Sequence, residues 1–518
     1  MKGKQFLAAV LATTMAAAIL TGCSSSAATE QTQADTDTAA GGSAASAAGT
    51  TAAADSDSSS AEPVEITIDR ATFNLASSDA DEVQKIQDAI NAYIEDKINV
   101  KIVLNDIPSG EYGDKVNLSL TNNEVNLFWT ASWQGTVSTD NLVMQNAAYN
   151  ITDLLQGSDL YASIPEEVWR ASQYDGQDYF IPIYKESAEG YDLVYPTAMA
   201  EKYGWDLSTV TELKDIEPML AQMQADGVKY PLLMQKMPFF SKYYIDKYDF
   251  TVGGTMMAVD RSTDEIVNTI QTADYQDFVA LIADWAAKGY ISDEEATKTV
   301  PDTAIMGTDW GFAAWVDVPI NEAATTTYGQ DCDVIHMTKN WANSTSTLGS
   351  CYAIASSSTE EQAQACLDFL GLLYTDNTLA DLYTYGIEGT DYDKDEAGFV
   401  TQKGDLYNHS AWESGSVTAI SIVSGNPADS IQLYEDFNDQ SVESSASGFR
   451  PDYTSVEAQW TACQSVYDQY GYVLEEGGYA PEDVAAALET YQAALDDAGY
   501  QEVLKTLQDQ YDTWKASK

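Results

Sequence analysis

Histidine is almost missing: the 518 residues hold two, His336 and His409. That leaves no room for a multi-histidine metal site and little for a histidine-based catalytic triad. Basic residues are also scarce, 25 Lys and Arg against 81 Asp and Glu, for a formal net charge of -56. A phosphate backbone is bound by releasing counterions onto lysine and arginine, so nucleic acid is excluded as a partner. Anionic lipid is repelled by the same field, so any hold on a membrane has to be covalent or spanning. After the first residues no apolar run reaches the length of a span. GxxxxGKS/T, GxGxxG after a strand, HExxH and GxSxG are all absent. Asp391-Tyr392-Asp393-Lys394-Asp395 opens like a calcium loop, but Glu396 stands where the turn glycine belongs and Gln402 where the bidentate acid belongs. No metal or cofactor is expected.

What is present is enough apolar matter for a large core: 44% hydrophobic and 11% aromatic residues, with a length that fits two to four domains. The first stretch is an address. Lys2 and Lys4 precede an apolar segment, Phe6 to Leu20, which runs into Leu20-Thr21-Gly22-Cys23, a bacterial lipobox in form. Residues 1–22 read as a signal peptide and Cys23 as the lipidated N-terminus, since two or three acyl chains hold firmly to a bilayer. Ser24 to Ala61 is almost all Ala, Ser, Thr and Gly, so 23–61 reads as a disordered tether of roughly 35 Å reach. Cys332, Cys351, Cys366 and Cys463 lack CxxC spacing and read as buried free thiols, with a Cys332–Cys351 disulfide as the alternative.

Folded sequence starts near Pro63. Val64, Ile66 and Ile68 alternate as in a strand, and Val83, Ile86, Ile90 and Ile94 come next at helical spacing. Val100 to Leu104 and Val125 to Trp129 read as further strands, an order that means a parallel α/β sheet. Strands are expected at Gln177–Tyr184, Gly311–Val316, Cys332–Met337 and Cys351–Ala355. Helices are expected at Val210–Gln224, Tyr275–Lys288, Glu360–Tyr374 and, broken by Gly477-Gly478 and Gly499, from Val456 onward.

Five blocks, in order, carry a resemblance. Pro63 to Leu104 with Asn126-Leu127-Phe128-Trp129 after it resembles the start of a family 1 extracellular solute-binding protein, a maltodextrin-binding-like receptor of ABC importers. Asp175-Gly176-Gln177-Asp178-Tyr179-Phe180-Ile181-Pro182 is similar to the family's DGKxYgiP strand. Ala198 to Trp205 with Thr211 to Met223 is similar to its KYG turn and next helix. Ala353-Ile354-Ala355-Ser356 before Glu360 to Leu373 is similar to its "aIs…FLxfl" block. Tyr385 to Tyr392, Gly448-Phe449 and Ala498 to Trp514 resemble a lipoprotein subgroup with its own C-terminal region.

The resemblance implies a two-lobe periplasmic-binding-protein-like α/β fold of type II, with discontinuous lobes joined by hinge strands. It places an N-lobe at 62–182 plus 337–385 and a C-lobe at 183–336 plus 386–518, with crossings near Ile181 to Tyr184, His336 and Tyr385. It also implies ligand positions. Trp129 falls on a family tryptophan, and Trp133 stands where relatives carry a polar ligand-binding residue. Glu186 matches an acid that accepts from ligand hydroxyls, and Asp79 a polar contact that is equally a helix N-cap. Gln235 and Phe239 fall in a block with a stacking aromatic after proline. One of Trp310 and Trp315 is expected at the cleft and the other in the lobe. Phe449 and Arg450 stand near another cleft aromatic. Sugars offer flat C–H faces to aromatic rings and hydroxyls to carboxylates, amides and arginine.

These residues read as a monomeric, lipid-anchored receptor on the extracellular face of a cell membrane. It captures an oligosaccharide and hands it to ABC permease subunits, without bond chemistry. A receptor for a peptide or another solute uses the same scaffold, and a surface glycoside hydrolase needs only a carboxylate pair. Salt dependence of binding separates the first alternative, and turnover of the bound sugar the second.

Overall fold

The computed structural model describes residues 62–73, 79–234, 239–300, 309–320, 325, 328–404, 406, 407 and 409–518. Cys23, the tether and Gln235 lie outside the described residues.

The alternating strand Val64–Thr72 pairs in parallel with Val100–Pro108 along its whole length and with Leu127–Thr130 on its other side. The helix Ala80–Ile94 makes the crossover between the first two strands. Asp79 caps it, its Oδ1 accepting from the Glu82 amide at 3.0 Å, and Val83, Ile86, Ile90 and Ile94 bury the apolar stripe. The sheet is completed from far along the chain. Cys351–Ile354 lies antiparallel beside Leu127–Thr130, and Phe180–Pro182 pairs on its far side.

A second sheet has the order Cys332–His336, Tyr191–Pro196, Trp310–Val316, Tyr230–Leu233. The helix Ala273–Ala287 covers it with Phe278, Val279, Ile282 and Trp285. A three-stranded meander, Tyr248–Gly253, Met257–Asp260 and Glu265–Asn268, extends this half. Between the halves run short strands, Ala188–Glu189 against Trp341–Ala342 and the latter against Val442–Glu443.

Apolar burial divides in the same way. One core gathers residues from Ile66 to Tyr184 and from Leu348 to Ile420; another gathers residues from Leu193 to Ile335 and from Ala446 to Tyr511. The first core therefore runs past the crossing expected near Tyr385, taking in Tyr392, Val400, Tyr407, Ala419 and Ile420. The reason is a buried ion network. Arg70 binds Asp106 through Nε at 2.7 Å and Nη2 at 3.0 Å, and donates to the Tyr383 carbonyl and the Tyr407 hydroxyl, each at 2.7 Å. His409 Nε2 lies 2.9 Å from Asp106, and its Nδ1 3.5 Å from Glu413. Burial opposes the charge on Asp106, but Arg70 and His409 outweigh it and hold that carboxyl well below the usual range. Removing one member would strand the others without water, so Tyr407, His409 and Glu413 are locked to the first core. All four described cysteines are free; Cys351 sits in the first sheet and Cys332 in the second, so the alternative disulfide is not formed.

Candidate functional site

The strands Val64–Thr72 and Leu127–Thr130 end side by side, and aromatic residues crowd both ends. Phe73 comes directly after the first, and Trp129 and Trp133 lie at the end of the second. Open α/β sheets bind ligands at the carboxyl ends of their strands. Trp129 itself is fully buried. Its Nε1 donates to Ser350 Oγ at 2.7 Å and the Tyr112 ring closes its back at 5.7 Å. Around it stand Phe73 at 5.3 Å, Trp133 at 5.7 Å and Trp412 at 6.1 Å, all edge-on. Phe73 and Trp412 also touch, at 4.8 Å. Trp133 is 54% exposed although its Nε1 donates to the Gly349 carbonyl at 2.8 Å. The result is a ring cluster with one buried member and one open indole.

The segment Asn343–Gly349 joins this cluster to the other half. Ser132 Oγ donates to the Thr345 carbonyl at 2.9 Å on one side, and Ser346 Oγ to the Ser187 carbonyl at 2.8 Å on the other. Beyond it a cavity of about 200 Å3 is lined by Glu189, Tyr191, Lys242, Arg261, Asn343 and Thr345, among others. Lys242 is 3.7 Å from Glu189 and donates to the Tyr191 hydroxyl, which in turn donates to Glu189. Arg261 lies over the Trp341 ring at 3.7 Å and 3.6 Å from Asp249. Glu186, at the crossing, is ion-paired with Lys185 and sits in the field of Tyr434, whose hydroxyl is pushed up by burial and then by Glu186.

The remaining expected residues lie elsewhere. Asp79 is the helix cap described above. Trp310 is fully buried, and both it and Trp315 pack on Tyr328, at 4.8 and 5.6 Å. Neither ring joins the aromatic cluster; they fill a small core behind the second sheet. Phe239 is buried against Tyr243 at 5.1 Å. Phe449 is buried between Tyr511 and Trp514, at 5.0 and 5.5 Å. Trp310, Phe239 and Phe449 are core residues, and Trp315 packs partly buried against the same small core as Trp310. Arg450 is held by protein groups, Tyr174 foremost. Phe73 and Trp412 are site candidates that the sequence did not single out, as are Lys242, Arg261 and Trp341. Phe73 had a signal, being the first residue past an alternating strand; Trp412 had none without the Arg70 network.

At the ends of the second sheet's strands, Asp192, Asp317 and His336 bring ligand-type atoms within 4.8 Å of one another. His336 Nδ1 is 3.0 Å from Asp192 and 3.6 Å from Asp317. The Asp192 hydrogen bond raises the His336 pKa to about 9, so at neutral pH the imidazole is cationic and donates to Asp192 with Asp317 close by. Burial, partly offset by that hydrogen bond, raises Asp192 to about 6.

Two discontinuous α/β cores joined by crossing strands, with an aromatic cluster at the sheet edge, define the type II fold of the bacterial solute-binding proteins. Comparison with known proteins bears out the resemblance read from the sequence. The chain is 22% identical over 459 residues to a carbohydrate ABC transporter substrate-binding protein of Streptococcus pneumoniae serotype 4, covering 83% of this chain and 87% of that one. Among solved structures it is similar to the N-glycan transport solute binding protein NgtS from Streptococcus pneumoniae, at TM-score 0.75, 19% identity, and 88% and 100% coverage of the two chains. NgtS with Man5GlcNAc superposes at TM-score 0.65, with 19% identity over 88% of this chain and 99% of that one. An HMO binding, ABC-transporter associated solute binding protein from Bifidobacterium longum infantis gives TM-score 0.60, with 14% identity over 87% of this chain and 99% of that one. Residues 445–516 match a domain of unknown function, DUF3502.

Proposed function

We propose that this chain is the solute receptor of an ABC importer and captures a neutral oligosaccharide between its two cores. The open indole of Trp133, backed by Phe73, Trp129 and Trp412, carries the reading: it offers a flat apolar face where open sheets bind ligands. In the cavity lined by Asn343 and Thr345, Glu189, Tyr191, Lys242 and Asn343 supply hydrogen-bonding groups for hydroxyls, with Glu186 and Lys185 at the crossing. The acids there are each tied to a lysine, an arrangement that accepts from a hydroxyl and does no bond chemistry. The named relatives are carbohydrate and N-glycan binding proteins, which supports a glycan as the ligand class. In this reading Cys23 anchors a monomer to the outer face of the cell membrane, and permease subunits receive the sugar.

Calorimetry with mannose- and N-acetylglucosamine-containing oligosaccharides tests it. Trp133→Ala is expected to weaken binding roughly thirtyfold, the loss of a central aromatic anchor. The melting temperature of the empty protein should stay within a degree or two of the parent, because the ring is largely exposed. No binding to any glycan by the parent, or equal binding by the variant, overturns the reading or the placement respectively.

A further inference from the structure

The C-terminal region, 445–516, matches a domain with no assigned role. Its packing supplies one. Most of it is welded to the second core. Tyr500 donates to the Met256 carbonyl at 2.7 Å, Gln508 accepts from the Ile266 amide at 2.7 Å, and Tyr275 donates to Glu475 at 3.0 Å. The Tyr511 hydroxyl reaches Asp264 at 2.6 Å. Phe449 belongs to that second core.

The next residue leaves it. The Arg450 guanidinium lies over the ring of Tyr174 at 4.2 Å and its Nη1 is 3.8 Å from Asp140 Oδ1. Tyr174 donates to the same Asp140 oxygen at 2.5 Å, so the two groups that hold the arginine are themselves joined. Tyr174 is part of the first core, and Asp140 lies on the helix Thr139–Met144, just past the aromatic cluster in the chain. A third contact goes to the segment between the cores: Arg450 Nη2 donates to the Ser344 carbonyl at 3.4 Å, and the Gly448 amide to Ser344 Oγ at 2.6 Å. One peptide bond thus separates a residue buried in one core from a residue stacked on the other. With its side chain only 14% exposed, the arginine makes these contacts largely out of water, where cation–π contacts are strongest.

We propose that the C-terminal region is an interlobe brace: a rigid extension of the second core that uses Arg450 to hold the first core through Tyr174 and Asp140, and so sets how readily the empty receptor opens. The inference rests on the two-lobe receptor reading, but it does not depend on which solute is bound. Two cores pivoting on short strands need a contact that weights one arrangement over the other, and a contact worth a few-fold is enough to move a population.

The test uses the ligand-free body, residues 62–518, in small-angle scattering, so it is independent of any sugar result. Arg450→Met keeps much of the side-chain volume and removes the charge. It should shift the equilibrium toward the open form roughly threefold to thirtyfold, seen as a larger radius of gyration. Asp140→Asn, at a side chain 63% exposed and therefore safe for folding, should shift it in the same direction by less. Titrating oligosaccharide into Arg450→Met should restore the compact profile at higher concentration than in the parent. Radii equal to the parent's in both variants, with unchanged circular dichroism, overturn the brace. An Arg450→Met chain that does not fold leaves Asp140→Asn to decide.

Discussion

A tryptophan at the carboxyl end of a strand serves a ligand or a core according to which side of the backbone its ring leaves. Trp129 and Trp133 are four residues apart, and the structure buries the first completely while leaving the second half open. The sequence marked both, from their place after a parallel strand, but could not separate them, because both come at the end of the same apolar run. Trp310 and Trp315 were expected on opposite sides by alternation; instead both rings reach Tyr328, which approaches from a different part of the chain. Burial of this kind is a tertiary fact and leaves no local trace. It has a measurable consequence for Trp129. Trp129→Ala removes a fully packed indole and strands Ser350 Oγ, so it should cost about 3–5 kcal/mol of stability in urea unfolding, unlike Trp133→Ala. A loss of sugar affinity without a loss of stability would instead place the Trp129 face in the site.

Elements with a clean period were legible: the strand Val64–Thr72, the helices Ala80–Ile94, Ala273–Ala287 and Glu360–Leu373, and the C-terminal helices all fall where apolar spacing puts them. The strand Tyr191–Pro196 was not, although it is central to the second sheet. It is buried on both faces, so alternation is lost, and Asp192 interrupts its apolar run. That acid is tolerated because His336, at the end of the neighbouring strand, donates to it. The pairing makes stability depend on pH. The folded His336 pKa of about 9 lies above the ordinary 6.5, so its stabilisation is complete near pH 6.5, just above the Asp192 value of about 6, and is lost as pH rises through 9. Because the imidazole is more than half exposed, screening reduces this to about 1 kcal/mol or less. Urea unfolding at pH 6.5 and 9.5 should show the decline, and His336→Gln should flatten it. An equal decline in the variant would assign the pH dependence to other groups.

For the whole molecule the dominant sequence fact is the charge of -56, and around the candidate site several acids are paired with bases. Lys185 pairs with Glu186, Lys242 with Glu189 and Arg261 with Asp249. The side chains of the Lys185–Glu186 and Arg261–Asp249 pairs are at most 15% exposed, so salt does little to loosen them, and a neutral sugar releases no counterions on entry. Binding of a neutral oligosaccharide should therefore change by less than about twofold between roughly 50 and 500 mM sodium chloride in calorimetry. A steep fall would mean a cationic solute drawn in by the overall field. The order of strands in the first sheet also bears on how the chain reaches this state. Leu127–Thr130 finds its second neighbour only in Cys351–Ile354, and the core around them closes only with Ala419 and Ile420. Until then the growing chain carries an unpaired apolar edge, the feature that makes long-range β pairing slow and prone to sticking. A chain ending before residue 351 lacks the strand that pairs with Leu127–Thr130, and it is expected to be cut by protease faster than the full chain.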